Sequence, residues 1–196
     1  MVCALLAGCT GPGAPSPAAA SLTVQPKAGL RLNTGFVEFG DFTAFDEKLQ
    51  WIDGCNEIPR EVLEAAGMDL SRGVESEKSM SSWVCVRPAK DSVDRLASYG
   101  LMGSGANKTV ISDKGLMIDS GASDVIPGLY THMLGTTSQS DSCYASVDTV
   151  RGRFSIAYGD YDPKMSQSAR CAKAVRAFEF VYQKIGGSYG SGTKQS

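Results

Sequence analysis

The cysteines are the residues whose number and spacing say most about the chemistry of this chain. There are six among 196 residues, and Cys3 and Cys9 lie close to the amino terminus. The other four are far apart, with no Cys-x-x-Cys pair: Cys55, Cys85, Cys143 and Cys171. An even, widely spaced set favours two disulfides over a zinc site, and one histidine in the chain adds little to a metal site. No cofactor or metal is expected. Because disulfides persist in oxidising compartments, the pattern predicts export from the cytoplasm.

Cys9 is the candidate for a covalent lipid. It ends the sequence LAGC at positions 6–9, which fits the lipobox of bacterial lipoproteins. The apolar and small residues there let the signal peptidase reach the backbone before a cysteine that already carries diacylglycerol. Residues 1–8 are apolar and uncharged, like the end of a signal peptide. Since so few residues precede Cys9, we expect the encoded signal to start further upstream, and Cys3, in the removed part, has no expected role.

The segment after Cys9 predicts a tether. Residues 10–21 read TGPGAPSPAAAS, carry no charge and cannot bury apolar surface, so they behave as a flexible spacer. The expected organisation is a signal-peptide remnant at 1–8 and the lipidated cysteine with its tether at 9–29. A single domain at 30–187 and a disordered tail at 188–196 follow. This predicts a protein held by lipid on the outer face of the cytoplasmic membrane.

Asp119 is the sharpest candidate for catalysis. The sequence LMIDSGAS at 116–123 resembles the active-site loop of aspartic peptidases, in which an aspartate follows a strand and small residues shape the loop. Two carboxylates must share a proton in that chemistry, so one copy works only in a homodimer. The chain has no second Asp-Ser/Thr-Gly sequence, and Pro127 stands where an apolar residue is expected. The alternative is a strand that ends in an Asp-Ser-Gly turn, which we favour.

The charge and hydropathy of the chain argue against a nucleic-acid-binding protein and against a membrane-spanning one. The formal net charge of −2 argues against a nucleic-acid partner, which calls for a basic face. No apolar run approaches the roughly 20 residues that span a bilayer.

The sequence GLMGSGANKT at 100–109 lacks the glycine that a phosphate-binding loop has before Lys108. His132 has no nucleophile elbow to serve and is expected to be a partly buried structural histidine.

Sequence periodicity places some of these residues on elements. Residues 56–70 predict a helix, with Pro59 in its first turn and Gly67 as its stop. Residues 81–87 predict a strand with Trp83 and Cys85 on one face. The phenylalanines at 36, 39, 42 and 45 predict a short strand or helical turn that packs aromatic rings inward or, alternatively, lines a lipid pocket. Residues 88–135 carry only short apolar stretches among Gly, Ser, Asn and Asp, and their structure stays open.

The carboxyl-terminal third is better determined. Residues 142–150 and 153–159 predict two strands of a hairpin. A last helix then follows Asp162, the candidate cap, with a core stripe at i, i+4, i+7 spacing: Cys171, Val175, Phe178, Tyr182 and Ile185. The fold class predicted is therefore α+β, an antiparallel sheet packed against a long carboxyl-terminal helix with two disulfides.

Four cysteines allow three pairings. Cys143 and Cys171 both fall on predicted core faces, of a strand and of the last helix. The sequential pairing, Cys55–Cys85 with Cys143–Cys171, closes two loops of about 30 residues, each worth about 3–4 kcal/mol in the loop-entropy description. We prefer this pairing, and the other two remain open.

With these landmarks the chain resembles the actinobacterial DUF3558 lipoproteins, small secreted domains without an assigned activity. The resemblance covers most of the chain after the anchor. It rests on the lipobox and spacer, on DGCNEI at 53–58, on WVC at 83–85, and on the strand, hairpin and helix that carry Cys143 and Cys171. Gly54 stands where the family usually has proline, and Trp83 precedes its cysteine rather than following it. The resemblance implies a lipid anchor and sequential disulfides, and it carries over no catalytic residues.

These observations predict a non-enzymatic binding role at the membrane. The leading hypothesis is an accessory extracytoplasmic subunit of a membrane protein complex, such as a respiratory or transport assembly. One alternative is a carrier of a lipid or another apolar ligand, which needs a cavity larger than a few hundred Å3. The other is a homodimeric aspartic peptidase that uses Asp119.

Overall fold

The structure, a computed structural model, describes residues 27–72, 74–92, 97–135 and 141–189. These residues form ten strands and four helices. The strands are β1 (Lys27–Leu32), β2 (Gly35–Glu38), β3 (Val74–Lys78), β4 (Ser82–Pro88), β5 (Ala97–Ser104), β6 (Met117–Asp119), β7 (Tyr130–His132), β8 (Ser142–Thr149), β9 (Gly152–Asp160) and β10 (Gly186–Tyr189). The helices are α1 (Gly54–Glu57), α2 (Arg60–Ala65), α3 (Lys108–Asp113) and α4 (Gln167–Ile185).

The strands form two antiparallel sheets. The larger has the order β3-β4-β5-β9-β8-β7-β6, and the smaller has the order β10-β1-β2. The long helix α4 packs on β8 and β9, which confirms the predicted fold class. Within the described ranges no helix has the length and apolar character needed to cross a membrane.

Both predicted disulfides are present. Cys55 bonds to Cys85 and so ties α1 to β4, and Cys143 bonds to Cys171 and ties β8 to α4. The second joins the two faces on which the sequence pattern placed its cysteines. Further along α4, Phe154 of β9 packs edge-on against Phe178, with ring centroids 5.6 Å apart. The sequential pairing is therefore the one the fold uses.

The predicted hairpin is confirmed, and the start of the last helix is corrected. Strands β8 and β9 pair from Ser142↔Gly159 to Thr149↔Gly152, and Gly152 takes a φ of 108° at the turn. Helix α4 begins after Ser166, whose hydroxyl accepts the Ala169 N–H. Asp162 instead accepts the Lys164 N–H in the preceding turn. Both residue types cap helices well, so the sequence alone did not separate the two positions.

The predicted helix at 56–70 is two short helices. Helix α1 ends before Ile58, which is extended with ψ 134°, and α2 begins after Pro59. A proline disfavours the helical conformation of the residue before it, so the chain breaks at Ile58. Gly67, at φ 94°, does end the second helix region.

The predicted bounds of tether and tail also need correction. Strand β1 begins at Lys27, inside the predicted tether, and β10 extends to Tyr189, inside the predicted tail. The two strands pair with each other from Lys27↔Tyr189 to Leu30↔Gly186. Neither segment has a strong local pattern, and each supplies the hydrogen-bond partners of the other. The rest of the tether, with Cys9, and residues 190–196 lie outside the described residues.

The open region at 88–135 contains a central strand. Strand β5 lies between β4 and β9; it pairs with β9 along its whole length and with β4 from Ser98 to Ser104. Its sequence, ASYGLMGS, has two glycines and no clear alternation. At Gly103 an added Cβ would lie 2.4 Å from the Ile52 carbonyl oxygen, so the close approach of the 51–52 segment requires glycine there.

Candidate functional site

A large cleft in the described structure lies beside the end of β8. Its volume is about 840 Å3, and it is open to solvent. Its walls are the loop 39–42 after β2, the start and outer face of α3, parts of the 117–120 segment and the turn at 127–128. Three residues of the adjoining strands complete it: Tyr130, Val147 and Asp148.

Asp148 is the best-held carboxylate of the cleft. Its two oxygens accept hydrogen bonds from the Lys108 N–H and the Tyr130 hydroxyl, both at 2.9 Å. Its backbone carbonyl accepts the Gly40 N–H at 3.1 Å, which fixes the 39–42 loop to β8. Partial burial raises the pKa of Asp148, and the negative charge of Asp41 adds to that rise, while these hydrogen bonds and Arg153 oppose it. Asp148 is thus a half-buried anion whose surroundings disfavour its charge.

Lys108 and Asn107 join the walls of the cleft. The Asn107 side chain accepts the Val110 N–H at 3.0 Å as the cap of α3, and it donates to the Phe42 carbonyl at 3.2 Å. The Lys108 ammonium donates to the Ser120 carbonyl at 2.9 Å and lies 5.3 Å from the centre of the Tyr130 ring. The positive charge of Lys108 is therefore already engaged by one wall.

Two of the four early phenylalanines line the cleft. Phe39 stacks on Tyr182 of α4 at 5.8 Å while it borders the cleft, and Phe42 follows in the same wall. Phe45 is 56% exposed and has a φ of 58°, so the expectation that all these rings pack inward is wrong for Phe45. The loop leaves the sheet after Phe39, and the spacing of three does not persist as a helix.

Behind the cleft, the same sheet face carries a buried polar network. The His132 Nδ1–H donates to the Met133 carbonyl at 2.9 Å, because a carbonyl only accepts; its Nε2 then accepts from the Ser146 hydroxyl at 2.9 Å. Ser146 in turn bonds to Ser155 at 2.7 Å. Burial, and then the charge of Arg153, lower the pKa of His132 to about 3. His132 is fully buried, more than the partial burial expected, and acts as a neutral structural group.

Arg153 supplies a buried positive charge to this network. It is 3% exposed, and burial lowers its pKa, opposed by Tyr130, Asp148 and Tyr144. Its Nε and Nη1 have no hydrogen-bond acceptor among the described residues. Its side chain is absent from the cleft lining, and its charge acts on Asp148 from the position directly opposite on β9.

Asp119 ends the edge strand β6. Its carboxylate accepts the Gly121 N–H at 2.9 Å, so the Asp-Ser-Gly turn is formed, and its side chain is exposed. The neighbouring Ser120 lines the cleft, but Asp119 does not. Catalysis by a dyad of two such aspartates across a homodimer stays a prediction. In the described part of the chain, no group of three His, Cys, Asp or Glu side chains is placed to hold a metal ion.

Sequence reasoning missed Asp148, the central residue of the cleft. The alternation in β8 assigns Cys143, Ala145 and Val147 to the helix-facing side and puts Asp148 on the other side. A polar residue on that side is ordinarily solvated. Only α3, the 39–42 loop and Tyr130, which come from distant parts of the sequence, make it part of a cleft.

Comparison with family models, with curated proteins and with solved structures gave no match to this chain.

Proposed function

We propose that this chain is a lipid-anchored extracytoplasmic binding protein of the DUF3558 type, and that it serves as an accessory subunit of a membrane protein complex. The LAGC sequence at 6–9 and the two disulfides support export and anchoring through Cys9. The single observation that carries the binding role is the open cleft of about 840 Å3 around Asp148.

The cleft is built to keep its shape. One wall is fixed to β8 by the Gly40–Asp148 backbone bond, and it is joined to a second wall by the Asn107 bond to Phe42. The Lys108 side chain, on the wall formed by α3, donates to the Ser120 carbonyl on a third wall. A preformed site loses less entropy when a partner segment enters it, which favours recognition by shape and charge.

The proposal is tested by purifying the tagged full-length lipoprotein from native membranes in a mild detergent. Three forms are compared: the natural chain, Ser112→Trp and Ser168→Trp. Ser112 is exposed on α3 and lines the cleft, whereas Ser168 is exposed on α4 and does not. We expect the natural chain and Ser168→Trp to retain a stoichiometric membrane protein, and Ser112→Trp to lose most of it.

Recovery of the protein alone, with no membrane protein, contradicts the accessory-subunit role. A partner retained equally by both tryptophan variants places docking elsewhere than the cleft. The anchor is tested separately with Cys9→Ser, which we expect to release the protein from the membrane fraction.

The volume of the cleft favours a second candidate, a carrier of a lipid or another apolar ligand. About 840 Å3 exceeds the few hundred Å3 that such a ligand needs, and Phe39, Phe42 and Met117 offer apolar contacts. Asp41, Asp113 and Asp148 in the same lining disfavour an acyl chain, because burying a carboxylate against hydrocarbon is costly. Native mass spectrometry of protein purified from membranes, with a bound lipid as the positive result, tests this candidate.

A further inference from the structure

We propose that the cleft takes a basic side chain, a lysine or arginine, presented by a protein partner, and that Asp148 and Asp41 are the anions that receive it. This inference rests on the proposed function and names the chemistry of the partner.

The charges of the cleft are unequal. Three carboxylates line it, Asp41, Asp113 and Asp148, against one ammonium, that of Lys108. Lys108 is engaged by the Ser120 carbonyl and the Tyr130 ring. Arg153, directly opposite Asp148 on the neighbouring strand β9, offsets part of the charge of Asp148, but it does not line the cleft. The open side of the cleft therefore presents net negative charge.

Asp148 keeps capacity for a cation. Each of its oxygens accepts one hydrogen bond, from Lys108 N–H or from Tyr130, and each carboxylate oxygen has two lone pairs. The carboxylate is partly buried, so an ion pair formed there is screened less by salt than one on an open surface. Asp41 is close enough for its charge to disfavour the ionised form of Asp148, and a cation between them relieves that repulsion.

The other lining residues favour an organic cation over an inorganic one. Phe39, Phe42 and Tyr130 line the cleft and offer apolar surface to the aliphatic stem of a basic side chain. A bare metal ion needs several ligands together, and the described residues hold no group of three that suits one. The cleft is also much larger than a single amine, so it has room for the neighbouring residues of a partner chain.

The test uses purified protein and three hexapeptides with acetylated and amidated ends. The peptides differ only in one internal residue, which lies between two leucines. That residue is lysine, arginine or the uncharged norleucine. Dissociation constants are measured from 1H–15N NMR shifts in low salt. We expect the basic peptides to bind about tenfold more tightly than the norleucine peptide and to shift the amides of Gly40 and Lys108. We also expect the difference to shrink as salt is raised.

Two variants test the anions, and a third serves as the control. Asp148→Asn should abolish the preference for basic peptides. Asp41→Asn, at an exposed loop position, should reduce it several-fold without loss of folding. Glu61→Gln, which removes an equally exposed carboxylate on α2 outside the cleft, should leave it unchanged.

Equal affinity for all three peptides overturns the inference, and so does retention of the preference in Asp41→Asn. The proposed function survives such a result if Ser112→Trp still loses the membrane partner. If Ser112→Trp keeps the partner, the proposed docking at the cleft fails as well. If spermidine binds at the cleft as tightly as the lysine peptide does, the occupant is a free polyamine. That result would overturn the proposal of a protein partner.

Discussion

Arg151, in the turn between β8 and β9, donates two parallel hydrogen bonds to Glu57 of α1, Nη1–Oε2 at 2.6 Å and Nη2–Oε1 at 2.9 Å. Glu57 also accepts from the Thr34 hydroxyl and from the Asp53 N–H. Arg151 donates further to the Gln50 carbonyl at 2.6 Å. One ion pair thus joins the β1–β2 turn, the 50–57 segment and the β8–β9 turn.

Arg151→Met should lower the free energy of unfolding by about 2–3 kcal/mol, because it leaves the buried carboxylate of Glu57 without its counter-charge. Denaturant unfolding at pH 7 measures this. The double variant with Glu57→Gln should lose less than Arg151→Met alone. Burial alone would raise the pKa of Glu57, but the bonds from Arg151, Thr34 and Asp53 lower it overall. The contribution is therefore present above the unfolded pKa, near 4.5, and is lost as the pH falls through the folded value. An equal loss in the single and double variants contradicts this account.

Protonation of His132 in the unfolded chain should lower the free energy of unfolding as the solution becomes mildly acidic. Its pKa is about 3 in the folded state and 6.5 when unfolded, so between these values the unfolded chain binds the extra proton. Below pH 6.5 the free energy of unfolding should fall by up to about 1.4 kcal/mol per pH unit from this group. Unfolding curves between pH 7 and pH 5 measure the slope. His132→Gln should be less stable at pH 7 but show a clearly shallower slope, and an unchanged slope would rule out His132 as its cause.

The two disulfides should differ in their resistance to reduction. Cys143 is fully buried and Cys171 nearly so, whereas Cys55 is only partly buried. A thiol reagent should therefore open Cys55–Cys85 first, because attack requires access to a sulfur atom. Alkylation of the freed thiols followed by mass spectrometry gives the order in which the two disulfides open. Labelling of Cys143 and Cys171 first would contradict it.

Replacing Cys143 and Cys171 together by alanine should cost about 3–4 kcal/mol, the value for a loop of this length. The separation is 28 residues, and the bond holds α4 to the sheet. Thermal unfolding of the double variant measures the loss. A loss below about 1 kcal/mol would mean that helix packing alone holds the two elements, with little constraint from the bond.

Gly54→Ala should destabilise the domain by about 1–3 kcal/mol. An added Cβ would lie 2.8 Å from Leu101 Cβ and 3.0 Å from Phe154 Cε2, both in the core. Gly121→Ala is the matched control, because nothing lies within 4 Å of its added Cβ. Full stability of Gly54→Ala would show that the core has room for the larger residue.

Asp119→Asn separates the binding role from the aspartic peptidase. The side chain is exposed and accepts one local bond from Gly121, so the free energy of unfolding should change by less than about 0.5 kcal/mol. Recovery of the membrane partner should be unchanged. A pepstatin-sensitive cleavage of a peptide substrate that disappears in Asp119→Asn would instead support the peptidase.

Local patterns were sufficient for the elements that carry their own signal. The predicted turn at 151–152 lies one residue beyond the observed turn at 150–151, between two alternating strands, so the β8–β9 hairpin is readable from the sequence. The stripe on α4 put Cys171 toward the core, and the alternation in β8 put Cys143 there, so their pairing was also within reach. Each of these inferences depends on residues close together in the chain, where periodicity records which face is buried.

The sequence by itself therefore determined the fold class and the candidate anchor and favoured one of three disulfide pairings, while tertiary structure decided the site. Strand β5 shows no clear apolar alternation because residues of both faces are buried in its second half, and β1 pairs with β10 from the opposite end of the described chain. Asp148 became the centre of a cleft only when the 39–42 loop, α3 and Tyr130 converged on it. Such contacts join residues far apart in sequence, and no local period records which segments will meet.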